Sequence, residues 1–161
     1  MNHDFDVSII NIANDFYNAY LRCSEGKNPV KERDGRIRYE AVNVPAIVNG
    51  AFAIELYLKN LSPLTNKELK KKRHSIKKLF LTLDADLQNS IKKEVEEKLS
   101  HEQSFESSLN GIDNAFTFWR YIHTKRNFGY GLNDTLKAIP IFLTAIRNQI
   151  KVLNDDRTRQ Q

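Results

Sequence analysis

Hydrophobic residues recur along the chain at the three- and four-residue intervals of helices that bury one face. Between Asp6 and Cys23 they form one broad stripe, made of Ile9, Ile10, Ile12, Ala13, Phe16, Tyr17, Tyr20 and Leu21. This periodicity predicts an amphipathic helix, and Gly26 is placed to end it in a left-handed cap conformation.

A second periodic segment, from Asn43 to about Leu61, is apolar on almost every side. Asn43 suits the N-cap position, and Pro45 falls in the first turn, where its missing N–H costs nothing. A helix of this kind is typical of the centre of a bundle. The preceding residues 26–42 are polar and rich in turn formers. They predict a loop, in which residues 36–39 could be extended locally.

The second half of the chain predicts further helices. They cover residues 66–81, residues from Asp84 or Asp86 to about Leu99, residues 105–123 with a kink near Gly111, and residues from Asn133 or Asp134 to about Leu153, where Pro140 lies inside the helix or breaks it. Residues 155–161 are expected to be a disordered tail. No segment shows a convincing strand pattern. We therefore predict one all-α domain over residues 1–161, an up-and-down bundle of about five helices.

Composition adds expectations about the compartment and the cofactors. The chain of 161 residues is 40% hydrophobic and 28% charged, which suits one soluble domain. Its longest apolar run, residues 44–58, is too short and too polar to span a bilayer, and the N-terminus shows no secretory signal. Cys23 is the only cysteine, so no internal disulfide can form and a cytoplasmic location is expected. The sequence has only this cysteine and four scattered histidines as candidate zinc ligands. We therefore expect no metal site and no cofactor.

The positive charge of the chain is concentrated in one stretch, TNKELKKKRHSIKK (65–78), which we name the basic segment. It holds seven of the 25 basic residues and one of the 20 acidic residues, leaving 18 basic and 19 acidic residues elsewhere. A focused basic patch attracts phosphates. The residues predicted to contact RNA are Lys70, Lys71, Lys72, Arg73, Lys77 and Lys78. The alternative is a solvated helix end that keeps the protein soluble.

The most aromatic stretch, FTFWRYIH (116–123), carries an arginine inside a helix that is apolar on both sides. Arg120 shares one helical face with His123, and a buried guanidinium needs a hydrogen-bonding partner, usually a carboxylate. Glu55, in the equally apolar second helix, is a candidate partner. Lys59, four residues beyond Glu55, offers that carboxylate a local surface pair instead. Arg120 therefore either forms an interhelical ion pair or stands in a cleft as a cation for phosphate.

Two histidines are candidates for proton transfer. His74 lies among the cations of the basic segment, where it is either a general base or a solvent-exposed side chain. His123 ends its predicted helix, where an imidazole can instead pair with unbonded carbonyl groups. The candidate catalytic set is therefore Arg120, His74, His123 and Glu55. The sequence contains no Gly-rich phosphate loop, no H-E-x-x-H and no G-x-S-x-G.

Three segments in series resemble the HEPN superfamily of small helical domains of bacteria and archaea. GAFAIELYLKNL (50–61) is similar to the second helix of that family, with a Glu and a Lys four residues apart. KRHSIKKLFLTL (72–83) is similar to the element H-x-L-K-K-L-F, with Ile76 in the Leu position and Ser75 where Asp is frequent. FTFWRYIH is similar to the aromatic-W-R-Y segment of the later helix.

The resemblance implies a helical bundle, often a homodimer, with a role connected to RNA. Catalytic members are implied to be metal-independent endoribonucleases of toxin–antitoxin, defence or stress systems. Their signature is an Arg, four to six residues, then a His, in a cleft at the dimer interface. This chain departs from it, because Arg73 and His74 are adjacent and only two residues separate Arg120 from His123. Ribonuclease chemistry would need a composite site, such as Arg120 with His74 from another helix.

Members without this signature are implied to be binding or regulatory modules, some paired with a nucleotidyltransferase and others acting as scaffolds in defence loci. We therefore expect a HEPN-like module that binds RNA or a partner protein, such as an antitoxin or a nucleotidyltransferase, through its basic segment. The alternative is a metal-independent endoribonuclease with an atypical Arg/His site. A homodimer is expected from the resemblance and from aromatic residues such as Phe128 and Tyr130.

Overall fold

Helices make up nearly all of the regular structure in the part of the chain that the structure describes. The computed structural model describes residues 6–26, 28–40, 43–64, 68, 74–113, 115 and 132–159. In chain order the elements are α1 (Val7–Ser24), β1 (Asn28–Lys31), β2 (Ile37–Glu40), α2 (Asn43–Leu61), α3 (Ile76–Phe80), α4 (Ala85–Glu96), α5 (Phe105–Asp113) and α6 (Leu132–Arg159). The helices pack around one hydrophobic core, and the predicted all-α bundle is confirmed.

The centre of the bundle is α2, as its all-round apolar sequence predicts. It packs against α1, α3 and α6, and most of its residues are buried. Phe16 of α1 meets Phe52 of α2 edge to face, with 4.4 Å between the ring centroids. Gly50 allows α2 and α6 to approach closely, because a Cβ at this position would lie 2.5 Å from Cγ2 of Ile139.

Residues 28–40 form a β-hairpin, so the prediction of a loop over residues 26–42 is wrong for the two strands. β1 and β2 pair antiparallel, and Gly35 takes a φ of 86° in the turn between them. The backbone N–H of Arg36 donates to Oδ1 of Asp34 at 3.1 Å. The pair Asp-Gly between two short extended runs is a strong hairpin signal, which explains why this polar stretch is ordered into strands. The local extension expected over residues 36–39 is present from Ile37 onward.

The helix predicted over residues 66–81 does not continue through Ser75. This residue is extended, with φ −80° and ψ 107°, and it is the N-cap of α3. Its Oγ accepts the backbone N–H of Lys78 at 3.2 Å, because a serine side chain competes readily for backbone hydrogen bonds. A separate five-residue helix therefore begins after it. Residues 65–67 and 69–73 lie outside the described residues.

The helices α4 and α5 begin where the sequence predicts. Asp84 is the N-cap of α4, and its carboxylate accepts a backbone N–H one turn on at 2.9 Å. α4 ends at Glu96, three residues before the expected Leu99. α5 continues through Gly111 as far as Asp113. The rest of the helix predicted over residues 105–123 falls on residues that the structure does not describe, apart from residue 115.

The last helix, α6, is 28 residues long and contains Pro140, whose carbonyl accepts the hydroxyl of Thr144 at 2.7 Å. The prediction of a disordered tail is wrong for residues 155–159, which are helical. No glycine or proline follows Pro140, and the opposite charges of Asp155 and Arg159, four residues apart, favour the helix. Neither α6 nor another helix in the described ranges has an apolar stretch long enough to cross a membrane.

Candidate functional site

The carboxylate of Glu55 is buried at the centre of the bundle. Glu55 lies on α2, and its relative exposure is 0%. A carboxylate in such a position is stable only when other groups neutralise its charge and satisfy its oxygens. Lys59, one helical turn further on, does both in part, since its Nζ donates to Oε1 of Glu55 at 2.5 Å. The lysine side chain remains 23% exposed, so this ion pair connects the core to the surface.

His74 contacts the same carboxylate from outside α2. Its Nδ1 lies 3.0 Å from Oε1 and 3.1 Å from Oε2 of Glu55, while 56% of its side chain is exposed. An ionised carboxylate only accepts hydrogen bonds, so Nδ1 carries the hydrogen of this contact. Any proton exchange with a ligand would then use Nε2, the other ring nitrogen. A buried carboxylate therefore sets the orientation of an exposed imidazole.

A second carboxylate, that of Asp113, holds the residues just after His74. Its Oδ1 accepts the hydroxyl of Ser75 at 2.8 Å and the backbone N–H of Lys77 at 2.7 Å. Asp113 belongs to α5, whereas Glu55 belongs to α2. The end of the basic segment is thus attached to two different helices of the bundle by two acidic side chains. We name Glu55 and Asp113 the carboxylate anchors.

Geometry at Glu55 permits two chemical roles. A carboxylate that fixes the tautomer and direction of an imidazole prepares that histidine for proton transfer. The same contact also attaches the basic segment to the core, whether or not His74 exchanges protons. Within the described ranges, no three His, Cys, Asp or Glu side chains come together in a way that could hold a metal ion.

The described lysines of the basic segment differ in their surroundings. Nζ of Lys77 donates to Oδ1 of Asn110 at 2.9 Å and lies 3.7 Å from Oε2 of Glu106. Its ammonium is therefore partly engaged within the protein. Lys78 is exposed, and its backbone N–H is used in the cap of α3. The other predicted RNA-contacting residues, Lys70, Lys71, Lys72 and Arg73, lie outside the described residues.

Two of the four candidate catalytic residues are brought together, and two lie outside the described residues. Glu55 and His74 are in contact. Arg120 and His123 fall within the range 116–131, so the predicted meeting of Glu55 and Arg120 stays a prediction. The local partner proposed for Glu55, Lys59, is observed. It is not the ordinary surface pair expected, because the carboxylate is fully buried.

The contribution of Asp113 was not evident from sequence. It sits in a predicted helix, 38 residues from Ser75 along the chain, and no local pattern connects the two. Ser75 itself had a recognisable signal, since a serine directly before an apolar residue is a typical helix start. The contact between His74 and Glu55 also depends on tertiary packing, because the two residues are 19 positions apart.

Comparison of the chain with family models, with curated proteins and with solved structures gives no match. The resemblance to HEPN domains therefore stands only on the three segments quoted above.

Proposed function

We propose that this protein is a HEPN-like helical module that binds RNA through the basic segment. The observation that carries the proposal is the attachment of that segment to the bundle by the two carboxylate anchors. His74 and Ser75 are held at 3.0 Å and 2.8 Å by side chains from α2 and α5. Arg73 directly precedes His74 in the sequence. A run of cations is thereby joined to a fixed point on a rigid scaffold.

Charge supports RNA over other partners. Seven basic residues stand against one acidic residue in the 14 positions of the basic segment. A phosphate backbone presents a regular row of negative charges, and each cation that neutralises a phosphate adds affinity by releasing counterions. The remainder of the chain has a small acidic excess, so RNA is directed to this one region. The setting we propose is a cytoplasmic toxin–antitoxin or defence system.

The proposal is tested by two charge-matched quadruple variants. The first replaces Lys70, Lys71, Lys72 and Arg73 by Gln, and the second replaces the exposed residues Lys31, Lys93, Lys137 and Arg159 by Gln. Each variant lowers the net charge of +5 by four. RNA affinity is measured by filter retention over a series of salt concentrations. The first variant should lose about tenfold or more in affinity and show a shallower salt dependence, by about one unit of slope per lost phosphate contact.

The second variant should bind RNA nearly as well as the unmodified protein. Equal losses in both variants would mean that only the total charge matters, which contradicts a localised site. Absence of RNA retention by the unmodified protein, together with co-purification of another chain, would favour a protein partner such as an antitoxin or a nucleotidyltransferase.

A second candidate, a metal-independent endoribonuclease, is favoured by the contact between His74 and Glu55. In this reaction Nε2 of His74 takes the proton of a ribose 2′-hydroxyl, and the 2′-oxygen attacks the adjacent phosphorus. The bond to the 5′-oxygen breaks, that oxygen takes a proton from water as it leaves, and a 2′,3′-cyclic phosphate remains; the hydroxide then removes the proton held on Nε2. Arg120 would stabilise the charge that builds on the phosphate oxygens.

Incubation of total RNA with the protein in EDTA separates the two candidates. Cleavage that His74→Ala and Arg120→Ala both abolish would support the enzyme and displace the binding module. Intact RNA that is retained in a salt-sensitive manner would support the module. Light scattering at tens of micromolar addresses the proposed homodimer, since a monomer at that concentration would count against a shared cleft.

A further inference from the structure

A groove lies between α1, α2 and α6, on the side of α2 away from Glu55. Its volume is about 580 Å³, which is within the range of about 300–1,000 Å³ typical of small-molecule sites. Tyr57, which lines it, lies two residues after Glu55 on α2. At 3.6 residues per turn, the two side chains leave the helix about 200° apart. The groove is therefore separate from the carboxylate anchors and from the basic segment.

The central cation of the groove is Arg147, on α6. Its Cζ lies over the ring of Tyr17 at 3.9 Å from the centroid, a close cation–π stack that holds the guanidinium plane in one orientation. Across the part of the chain that the structure describes, no carboxylate lies within ion-pair distance of this guanidinium. Arg147 is only partly exposed. The ring of Tyr17 and the neighbouring hydroxyl of Tyr57 surround its guanidinium, and an acid does not neutralise it within the described residues.

Other groups of the groove complement an oxyanion. Lys151, one turn after Arg147 on α6, is exposed at the groove, and places a second cation on the same helix face. The hydroxyl of Tyr57 donates to Oδ1 of Asn14 at 2.6 Å. Because this bond uses the amide oxygen of Asn14, the N–H groups of the amide point toward other acceptors. Asp155 is the acidic residue of the lining. It lies one helical turn beyond Lys151 and two turns beyond Arg147, so it offsets part of the charge of Lys151 rather than that of the guanidinium. The cation pair therefore outweighs the acid near the guanidinium.

We propose that this groove binds a small phosphate monoester that carries a ring or another apolar group. The planar guanidinium of Arg147 donates hydrogen bonds to the phosphate oxygens. Lys151 supplies the second positive charge that a dianion favours, and the side-chain amide of Asn14 donates a further hydrogen bond. The apolar part of the ligand packs on the side chains of Ile10 and Ile150, which line the same groove. This site goes beyond the RNA-binding function and does not depend on it.

Calorimetric titration with phenyl phosphate, at low salt, tests the site. Binding by the unmodified protein should fall about tenfold or more in Arg147→Gln, which loses the oxygen-binding fork, and about threefold in Lys151→Gln. Arg159→Gln is the matched control, since it removes one exposed charge from the same helix outside the groove and should change affinity less than twofold. Thermal unfolding of each variant establishes that it is folded, and Lys151→Gln removes only an exposed side chain.

Three results would overturn the proposal. They are no heat of binding at millimolar phenyl phosphate, an equal loss in Arg159→Gln, and binding of benzoate as tight as that of phenyl phosphate, which would make the site one for carboxylates. The quadruple Gln variant at residues 70–73 should keep its affinity for phenyl phosphate even if it loses RNA. Loss of phenyl phosphate binding in that variant would place the ligand on the basic segment and contradict the groove site.

Discussion

On one side of α2, Glu55 is buried and its carboxylate is bound by Lys59 and His74. On the opposite side, Tyr57 borders a groove in which Arg147 is stacked on a ring. The first side has a buried anion that neighbouring groups satisfy. The second has a partly buried cation that lies over an aromatic ring and beside the Tyr57 hydroxyl, with no paired acid among the described residues.

The two charged groups therefore have different roles in the bundle, one in folding and the other in ligand binding. A buried carboxylate without partners would destabilise the fold strongly, so the groups around Glu55 are needed for folding as well as for orienting His74. A guanidinium on a ring face keeps a long apolar stem packed and its head near water. Its removal should therefore affect ligand binding far more than folding.

The largest expected effect is that of Glu55→Gln on stability. The substitution preserves volume but leaves the ammonium of Lys59 without its counter-ion and weakens the contact with His74. We expect the free energy of unfolding to fall by about 2–4 kcal/mol, as for hydrogen bonds to buried charges. Urea denaturation, followed by circular dichroism, measures it.

The matched variant on the other side is Arg147→Gln, which should lose only about 1 kcal/mol, the size of a cation–π contact. Equal losses at the two positions would contradict the contrast between the two sides of α2. The double variant Glu55→Leu with Lys59→Met should recover much of the loss seen in Glu55→Gln, because apolar replacement of a buried ion pair is often close to neutral.

The close packing of α2 against α6 depends on Gly50. A Cβ here would approach Cγ2 of Ile139 to 2.5 Å and Cδ2 of Tyr20 to 3.0 Å, so Gly50→Ala should force α2 and α6 apart. We expect a loss of about 1–3 kcal/mol in the free energy of unfolding, as for other overpacked cores. Gly111→Ala is the control, because its nearest neighbour outside its own helix is Oγ1 of Thr135 at 3.5 Å. An equal loss at both glycines would argue against close contact at Gly50.

The smallest effect concerns the phenol of Tyr57. Burial raises the pKa of Tyr57 above its usual 10.0, and the positive charge of Arg147 lowers that pKa in part. In Arg147→Gln the pKa of Tyr57 should therefore rise further, which an NMR titration of the tyrosine ring carbons measures. An unchanged or lower pKa would contradict the placement of the guanidinium beside the phenol.

The same titration has a consequence for stability at high pH. The pKa of Tyr57 is raised in the folded state, so the neutral phenol contributes to the free energy of unfolding. This contribution is complete below about pH 10, the usual tyrosine value, and is lost as the pH rises through the raised pKa. The alkaline loss of stability should be steeper in Arg147→Gln than in the unmodified protein. It should be shallower in Tyr57→Phe, which has no phenolic proton to lose.

Periodicity was sufficient to predict the helices whose faces are set by local spacing. α1 and α2 both follow from apolar residues at helical intervals. The sequence pattern does not predict the hairpin, although Asp34 and Gly35 carry a local turn signal, because the flanking runs are short and charged. Residue spacing also identifies Glu55 as a polar residue in a core helix. Its contact with His74 could not be predicted in this way, because that contact depends on how α2 packs against the chain before α3. No local pattern marks Arg147 as a candidate ligand-binding residue, because its orientation depends on the ring of Tyr17, 130 positions earlier in the sequence.

The most direct measurement is the RNA affinity of Glu55→Gln, taken at a temperature where the variant is folded. This substitution raises the net charge of +5 by one, so attraction governed by charge alone would tighten RNA binding. If the carboxylate anchors hold the basic segment for RNA, binding should instead weaken, by about threefold or more, or about 0.7 kcal/mol. Weaker binding despite the added positive charge is the predicted result. Binding that is unchanged or tighter would contradict the role of Glu55 in presenting the basic segment.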